Sequence, residues 1–198
     1  MRERELILAS GSARRRQLLT EAGYSFRVVV PDEAVECGIC SREGPASVVT
    51  DLAFRKAADV RRRVPHGTLI ACDTLAECRG RILGKPADAE HARDMLQWLR
   101  GQQHRVFSGL CVWPAPTRRN ATDKLDDHIR VRVAITTLQM DWLPDADIED
   151  YLATGAWEGK AGAFGYQDRL GWVQIEDGSE SNVVGLPLEL LAEMLRAS

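Results

Sequence analysis

A chain of 198 residues, 44% hydrophobic and 28% charged, is long enough for one domain with a real core and has an ordinary globular balance. A net charge of −3 and a pI near 5.9 give no overall basic field, which argues against long nucleic acid but allows a small anion held by local Arg and Lys. No apolar run approaches the roughly 20 residues that span a bilayer, and the charged start MREREL lacks a signal peptide's apolar stretch, so the expected setting is the cytoplasm with no membrane partner.

Residues 5–9 form a continuous apolar run, the mark of a central strand covered on both faces. The run leads straight into Ser10, Gly11, Ser12, Ala13, Arg14, Arg15 and Arg16. Ser10 or Ser12 can cap a helix over 13–22 that stops at Gly23. Hydroxyls, helix-start amides and guanidinium groups meeting at one spot make a natural anion site. Residues 25–30 read as a second strand, and 31–45, irregular and acidic, as a loop.

A helix over 46–64 follows, with Val48, Val49, Leu52, Ala53, Ala57 and Val60 on one half of its wheel. Lys56 falls in the middle of that apolar arc. It either snorkels past its neighbours or directs its ammonium into a cleft, and the pattern leaves both open. Residues 68–72 form another apolar strand, ending on Asp73 and Thr74. Ligands of open α/β sheets sit beyond the carboxyl ends of strands, so a carboxylate there is a functional candidate.

A hairpin turning at Arg79-Gly80 returns to Leu83-Gly84-Lys85-Pro86, which is not a Walker loop and on its own reads as a simple turn. A helix over 88–100 sets Ala92, Met95, Leu96 and Leu99 toward the core. Strands near 104–113 and 128–138 read as an antiparallel ribbon joined by a polar loop, with Ile129, Val131, Val133 and Ile135 on one face. Arg130 and Arg132 then lie on the other, solvated face. After a short helix over 146–154 come three glycines at intervals of three, Gly159, Gly162 and Gly165, beside Phe164, Tyr166 and Gln167. So many small residues suit a loop that lets a planar ligand approach the backbone. A strand at 172–176 and a helix over 187–196, with Pro187 in its first turn, close the chain.

The five cysteines are an odd number, against a complete disulfide framework. Cys37 and Cys40 have the spacing of a zinc clip or redox pair, but no second pair at that spacing exists and Cys72 sits in an apolar strand, which favours ordinary reduced thiols.

Each motif is modest alone; their order is not. Ser10-Gly11-Ser12-Ala13-Arg14-Arg15, then Lys56, Asp73-Thr74, Leu83-Gly84-Lys85-Pro86, the stretch from Lys160 to Gln167, and Val184-Gly185-Leu186-Pro187 together resemble the Maf family of nucleoside triphosphate pyrophosphatases, over 6–195. The resemblance implies an α/β fold: an elongated, mixed, twisted β-sheet flanked by helices, forming one domain over 1–198 whose two lobes enclose a central cleft. It implies hydrolysis of a nucleoside triphosphate to the monophosphate and pyrophosphate, with a divalent cation, Mg²⁺ or Mn²⁺, in a homodimer. By resemblance, Ser10, Ser12, Arg14, Arg15, Lys56 and Lys85 hold the triphosphate and Asp73 is the catalytic carboxylate. An upstream glutamate joins Asp73 at the metal; Glu36 fits its distance from the second helix best, with Glu33 close by.

The branch acting on dTTP and UTP is similar in its paired arginines, its Asp-Thr after the strand and its glutamine after the aromatic-glycine loop. This assigns Thr74 and Gln167 to the base, and a Gln amide offers both the donor and the acceptor that a uracil or thymine edge needs. Asp168, where the family commonly has glycine, keeps a CTP-type alternative open, and 7-methyl-GTP is the substrate of the other branch. A nucleotide- or nucleic-acid-binding regulator of cell division without turnover is the alternative from a different class. The retained Asp73, Lys56 and Lys85 and the net negative charge argue against it.

Overall fold

A computed structural model describes residues 5–37, 44–115, 128–168 and 170–197, apart from the side chain of Gln167. Cys40 lies outside the described residues. Seven strands form one mixed sheet: β1 (Leu6–Leu8), β2 (Phe26–Val28), β3 (Thr68–Cys78), β4 (Arg81–Leu83), β5 (Gln103–Trp113), β6 (Arg130–Met140) and β7 (Val173–Asp177). Their order is β2-β1-β3-β5-β6-β7, with β4 hydrogen-bonded to β3. β1 runs parallel to β2 and β3, and all other pairings are antiparallel.

Alternation along the strands builds two cores. Ile7, Leu69, Ala71, Cys111 and Trp113 face Ala53, Ala57 and Val60 of α2 (Pro45–Arg63). Leu8, Ile70, Cys72, Leu110 and Val112 face the other way, against Leu19 of α1 (Ala13–Glu21) and Leu191 and Met194 of α6 (Leu188–Arg196). Further along that second face, Ala76, Cys78, Val106, Leu138 and Met140 pack under α3 (Ala89–Leu99) and α4 (Asp145–Ala153). Asp88 caps α3, its side chain accepting from the His91 N–H at 2.8 Å. No helix among the described residues is long and apolar enough to cross a membrane.

The sheet departs from the sequence reading in ways that matter for the cleft. β3 does not end at Cys72 but runs on to Cys78, because β5 pairs with it throughout, from Leu69 opposite Trp113 to Glu77 opposite Arg105. Asp73 and Thr74 are therefore mid-strand. On the opposite edge of β3, the ladder with β1 stops at Ile70 and that with β4 begins at Ala76. Between them the edge has no strand partner among the described residues, and the cleft opens there. A short helix α5 (Glu180–Val184) escapes the sequence reading because five residues carry too little periodicity; Ser179 caps it, accepting from Asn182 at 3.3 Å. The loop at 31–45 contains a 3₁₀ turn, Glu33–Glu36. Arg130 and Arg132 are not simply solvated: they donate to the Met194 carbonyl at 3.1 Å and to Glu193 at 2.6 Å, at the end of α6 where cations are favoured.

Gly109 fixes where α2 lies. A Cβ at this position would stand 2.1 Å from the Val49 carbonyl oxygen, so the helix backbone rests directly on β5. Lys56 follows Val49 by seven residues, two helical turns, so this contact also sets where the lysine points. Gly109→Ala is expected to lower unfolding free energy by about 3 kcal/mol in denaturant titration, since a backbone atom cannot yield as a side chain can.

Candidate active site

The cation-rich wall starts from the turn between β1 and α1. Ser12 caps α1, its hydroxyl accepting from the Arg15 N–H at 3.4 Å, while its own N–H donates to Ser10 Oγ at 3.2 Å. This fixes the first helical turn, and with it Arg15. The Arg15 guanidinium donates from Nε to the Gly185 carbonyl at 2.8 Å, from Nη1 to Ser10 Oγ at 3.3 Å and from Nη2 to Thr74 Oγ1 at 3.3 Å. All three partners are neutral oxygens, so the guanidinium is held in place with its charge uncompensated by them, and two of its five N–H groups remain for an anion. Thr74 is held in turn by Ser108 at 2.8 Å. Arg14 reaches the Gly159 carbonyl at 3.4 Å, linking α1 to the glycine-rich loop. Arg16 is exposed and does not line the cleft.

Lys56 points into the cleft. Its side chain is 8% exposed, and its ammonium donates to Asp73 Oδ1 at 2.5 Å and to Glu36 Oε1 at 2.7 Å. Lys56 thus bridges α2, mid-strand β3 and the 3₁₀ turn of the acidic loop. Glu33 also lines the cleft, but it is Glu36 that meets the lysine. The hydrogen bond from Lys56 holds the Glu36 carboxyl below the usual carboxylate range against the opposing effect of burial, and the charges of Lys56, Lys85 and Arg15 act in the same sense.

The cleft encloses about 970 Å³. Among the described residues lining it, the cations Arg14, Arg15, Lys56 and Lys85 face the carboxylates of Asp32, Glu33, Glu36 and Asp73. Four against four leaves no net positive charge for a polyanion. The same described residues contain no cluster of three or more His, Cys, Asp or Glu that could hold a metal alone. Glu36 and Asp73, drawn together on one ammonium, are a two-carboxylate donor set. That fits Mg²⁺ or Mn²⁺, which commonly take one or two protein carboxylates and fill the rest of the shell with phosphate oxygens and water.

At its other end the cleft is apolar, walled by Leu99, Val106, Leu138, Met140 and Val173, with Gly162 and Phe164 from the loop. The loop enters through a turn at Ala161–Ala163, where the Gly162 N–H donates to the Gly84 carbonyl at 3.0 Å. Ala163, at φ 60°, holds a left-handed conformation that costs an alanine of order 1 kcal/mol.

One feature of this wall has no counterpart in the sequence reading: Lys160 is buried and forms an ion pair with Asp168, whose Oδ2 also accepts from the Tyr151 hydroxyl at 2.9 Å. Burial, with Asp168 next, pushes the Tyr151 hydroxyl up. Neither Lys160 nor Asp168 lines the cleft. The acidic residue held open as a reader of cytosine is therefore engaged behind the wall, its charge balanced by Lys160. The signal was present in sequence only as two opposite charges eight residues apart around two glycines. The Gln167 side chain lies outside the described structure. Cys37 is exposed, and its carbonyl accepts from Arg55 at 3.3 Å.

Because the folded-state pKa of Glu36 is lowered, its pairing stabilises the protein above about pH 4.5, the ordinary value, and that contribution fades as pH falls through the lowered one. Lys56→Met is expected to raise the Glu36 titration midpoint in a carbon-detected NMR titration and to flatten this acid limb. An unmoved midpoint would show that the ion pair does not form in solution.

Residues 5–198 match the family model described as Maf-like protein. A dTTP/UTP pyrophosphatase of Rhodopirellula baltica is 51% identical over 191 residues, 96% of this chain and 80% of that one. A dTTP/UTP pyrophosphatase of Pelotomaculum thermopropionicum is 39% identical over 196 residues, covering 98% and 96% of the two chains. The Ham1 protein of Staphylococcus aureus, 13% identical, superposes with a TM-score of 0.52 over 98% of both chains. A HAM1 protein of Coxiella burnetii, also 13% identical, does so with 0.53 over 99% and 100%. These two structures share the fold. The motif order, the continuous match and the shared architecture agree, and the chain belongs to the Maf family.

Proposed function

We propose that this chain is a nucleoside triphosphate pyrophosphatase that hydrolyses dTTP and UTP to the monophosphate and pyrophosphate. Two relatives matched along nearly the whole chain carry that activity in their names. The observation that carries the reading is the Lys56 ammonium held between Asp73 and Glu36, in a cleft also lined by Ser10, Ser12, Arg14, Arg15 and Lys85.

The chemistry follows from charge. Water attacks the α-phosphorus while the bond to the bridging oxygen breaks, and pyrophosphate leaves with that electron pair. The negative charge must be neutralised where it develops. Arg15 and Arg14 offer paired N–H groups to phosphate oxygens, Lys85 a point charge, and Ser10 and Ser12 hydroxyls. Glu36 and Asp73 would hold a divalent ion, which would add to the neutralisation and supply Lewis acidity and a lowered pKa for bound water. Asp73, fixed by Lys56, orients the water and takes its proton. By resemblance Gln167 is assigned to the base side; Thr74, assigned there too, accepts from Arg15 at 3.3 Å and so stands at the junction with the phosphate side. The family resemblance extends the proposal to a cytoplasmic homodimer.

Pyrophosphate release from dTTP, UTP, CTP and 7-methyl-GTP, with Mg²⁺ or Mn²⁺, tests the reading. dTTP and UTP are expected to turn over at least tenfold faster than the others, a margin of the size a directional hydrogen bond supplies. Asp73→Asn is expected to lose roughly 10²–10⁴ in kcat while keeping a folded circular dichroism spectrum and a cooperative melt. No release from any triphosphate would overturn the enzyme assignment; equal rates on 7-methyl-GTP would overturn the base assignment.

A further inference from the structure

His104, near the start of β5, is 6% exposed and lies in the wall of the cleft's apolar end. Its Nδ1 stands 3.5 Å from the Gln102 carbonyl oxygen. A carbonyl oxygen can only accept, so the tautomer that uses this contact has its hydrogen on Nδ1 and leaves a lone pair on Nε2. Burial pushes the imidazole down from its ordinary value, which keeps the ring neutral at pH 7. Nε2 has no hydrogen-bond partner among the described residues. Among the described residues the side-chain atoms sealed in the interior without a partner are Arg61 Nε and Asn182 Oδ1; Nε2 is not one of them, and His104 lines the cleft. Leu99, Leu138, Met140 and Val173, which line the cleft too, have no side-chain donor to offer. An acceptor in an apolar pocket is costly to leave unmatched, which makes it a strong discriminator between ligands.

Its place along the sheet suits a base. Ser108, opposite Thr74, lies on the same face of β5 four residues from His104, about 14 Å at the rise of a strand. That span is comparable with an extended nucleoside triphosphate, which leaves the phosphates at Arg15 and Asp73 when the base stands at His104. We propose that His104 selects uracil and thymine over cytosine, its Nε2 accepting a hydrogen bond from the N3–H of the base. Uracil and thymine carry that hydrogen between two carbonyls. Cytosine carries a lone pair at N3, which would meet the lone pair of Nε2. A glutamine amide can turn over to suit either ring, whereas an imidazole whose Nδ1–H is committed to a backbone carbonyl cannot. The inference rests on the nucleotide-binding reading of the cleft and deepens it.

The test separates base selection from turnover. Binding of the α,β-methylene analogues of UTP, CTP and 3-methyluridine triphosphate, with Mg²⁺, is measured by calorimetry for the wild type, His104→Leu and His104→Gln, beside pyrophosphate release from UTP. The wild type is expected to bind the uridine analogue roughly tenfold or more tightly than the other two, the effect of one hydrogen bond to a buried acceptor. His104→Leu is expected to bring all three within about threefold, and His104→Gln, which keeps an acceptor at similar reach, to restore part of the preference. Wild-type ratios retained in a His104→Leu variant that melts normally would overturn the proposal. So would equal wild-type affinity for the uridine and 3-methyluridine forms, a result that needs no variant, or no binding of any analogue. If binding follows the expected ratios while UTP releases no pyrophosphate, the catalytic reading falls and the base reading stands. Release with ratios that ignore His104 gives the reverse.

Discussion

The ammonium of Lys56, 8% exposed and bonded to Asp73 and Glu36 at 2.5 and 2.7 Å, ties α2, mid-strand β3 and the 3₁₀ turn of the acidic loop to one point. A buried lysine without partners would lose its charge or destabilise the fold; with two carboxylates it becomes the fixed point of the cleft. That fixed point depends on α2 lying against β5, which in turn depends on the missing side chain at Gly109. A backbone contact two turns away therefore decides where the central charge of the site stands. Once there, Lys56 holds Asp73 and Glu36 close together, the condition under which two carboxylates can share one divalent ion.

The second constraint is a gap. β3 is eleven residues long, yet between Ile70 and Ala76 one of its edges has no strand beside it among the described residues. Asp73 and Thr74 sit in that gap on a strand kept straight by β5, so their side chains are presented by a rigid element rather than a loop. Arg15 joins the gap from α1, bonded to Thr74, Ser10 and Gly185. Through these bonds the phosphate wall, the carboxylate and the turn after α5 hold one relative geometry, as catalytic preorganisation requires.

Most of the sheet was legible in the sequence because apolar runs and alternation report burial directly, and motif order picks out Ser10, Arg15, Lys56 and Asp73, which the fold brings into one cleft. What was not legible depends on distant partners. The extension of β3 past Cys72 follows from continuous pairing with β5, which no local pattern reveals. Lys56 had two readings until Asp73 and Glu36 were found at its tip. Arg130 and Arg132 looked solvated because the end of α6, more than 60 residues away, could not be placed over them. Asp168 looked like a free charge beside the base because its pairing with Lys160 and Tyr151 requires the loop to fold back on itself. His104 is not legible in sequence: one imidazole in a strand has no signature, and only the absence of a partner for Nε2 among the described residues marks it.

The cleft is electrostatically divided, and the division explains how an acidic protein can hold a triphosphate. At one end, four cations and four carboxylates cancel, yet the cations are directed while the carboxylates are gathered toward Lys56, so the local field still favours phosphate beside Arg15 and a metal beside Asp73. At the other end, charge has been removed from the wall. Asp168 is matched by Lys160 behind it, and burial pushes the imidazole of His104 toward its neutral form, leaving mainly apolar surface with the polar groups of His104 and Tyr166 among the described residues. On the proposed reading, strong, weakly directional forces at the first end hold the triphosphate, while the second end constrains which ring edge can be seated. Affinity would then come from the phosphates and selection from the base. The two can be kept apart because the strand that carries Thr74 is paired with the strand that carries His104, and their register sets the distance between them.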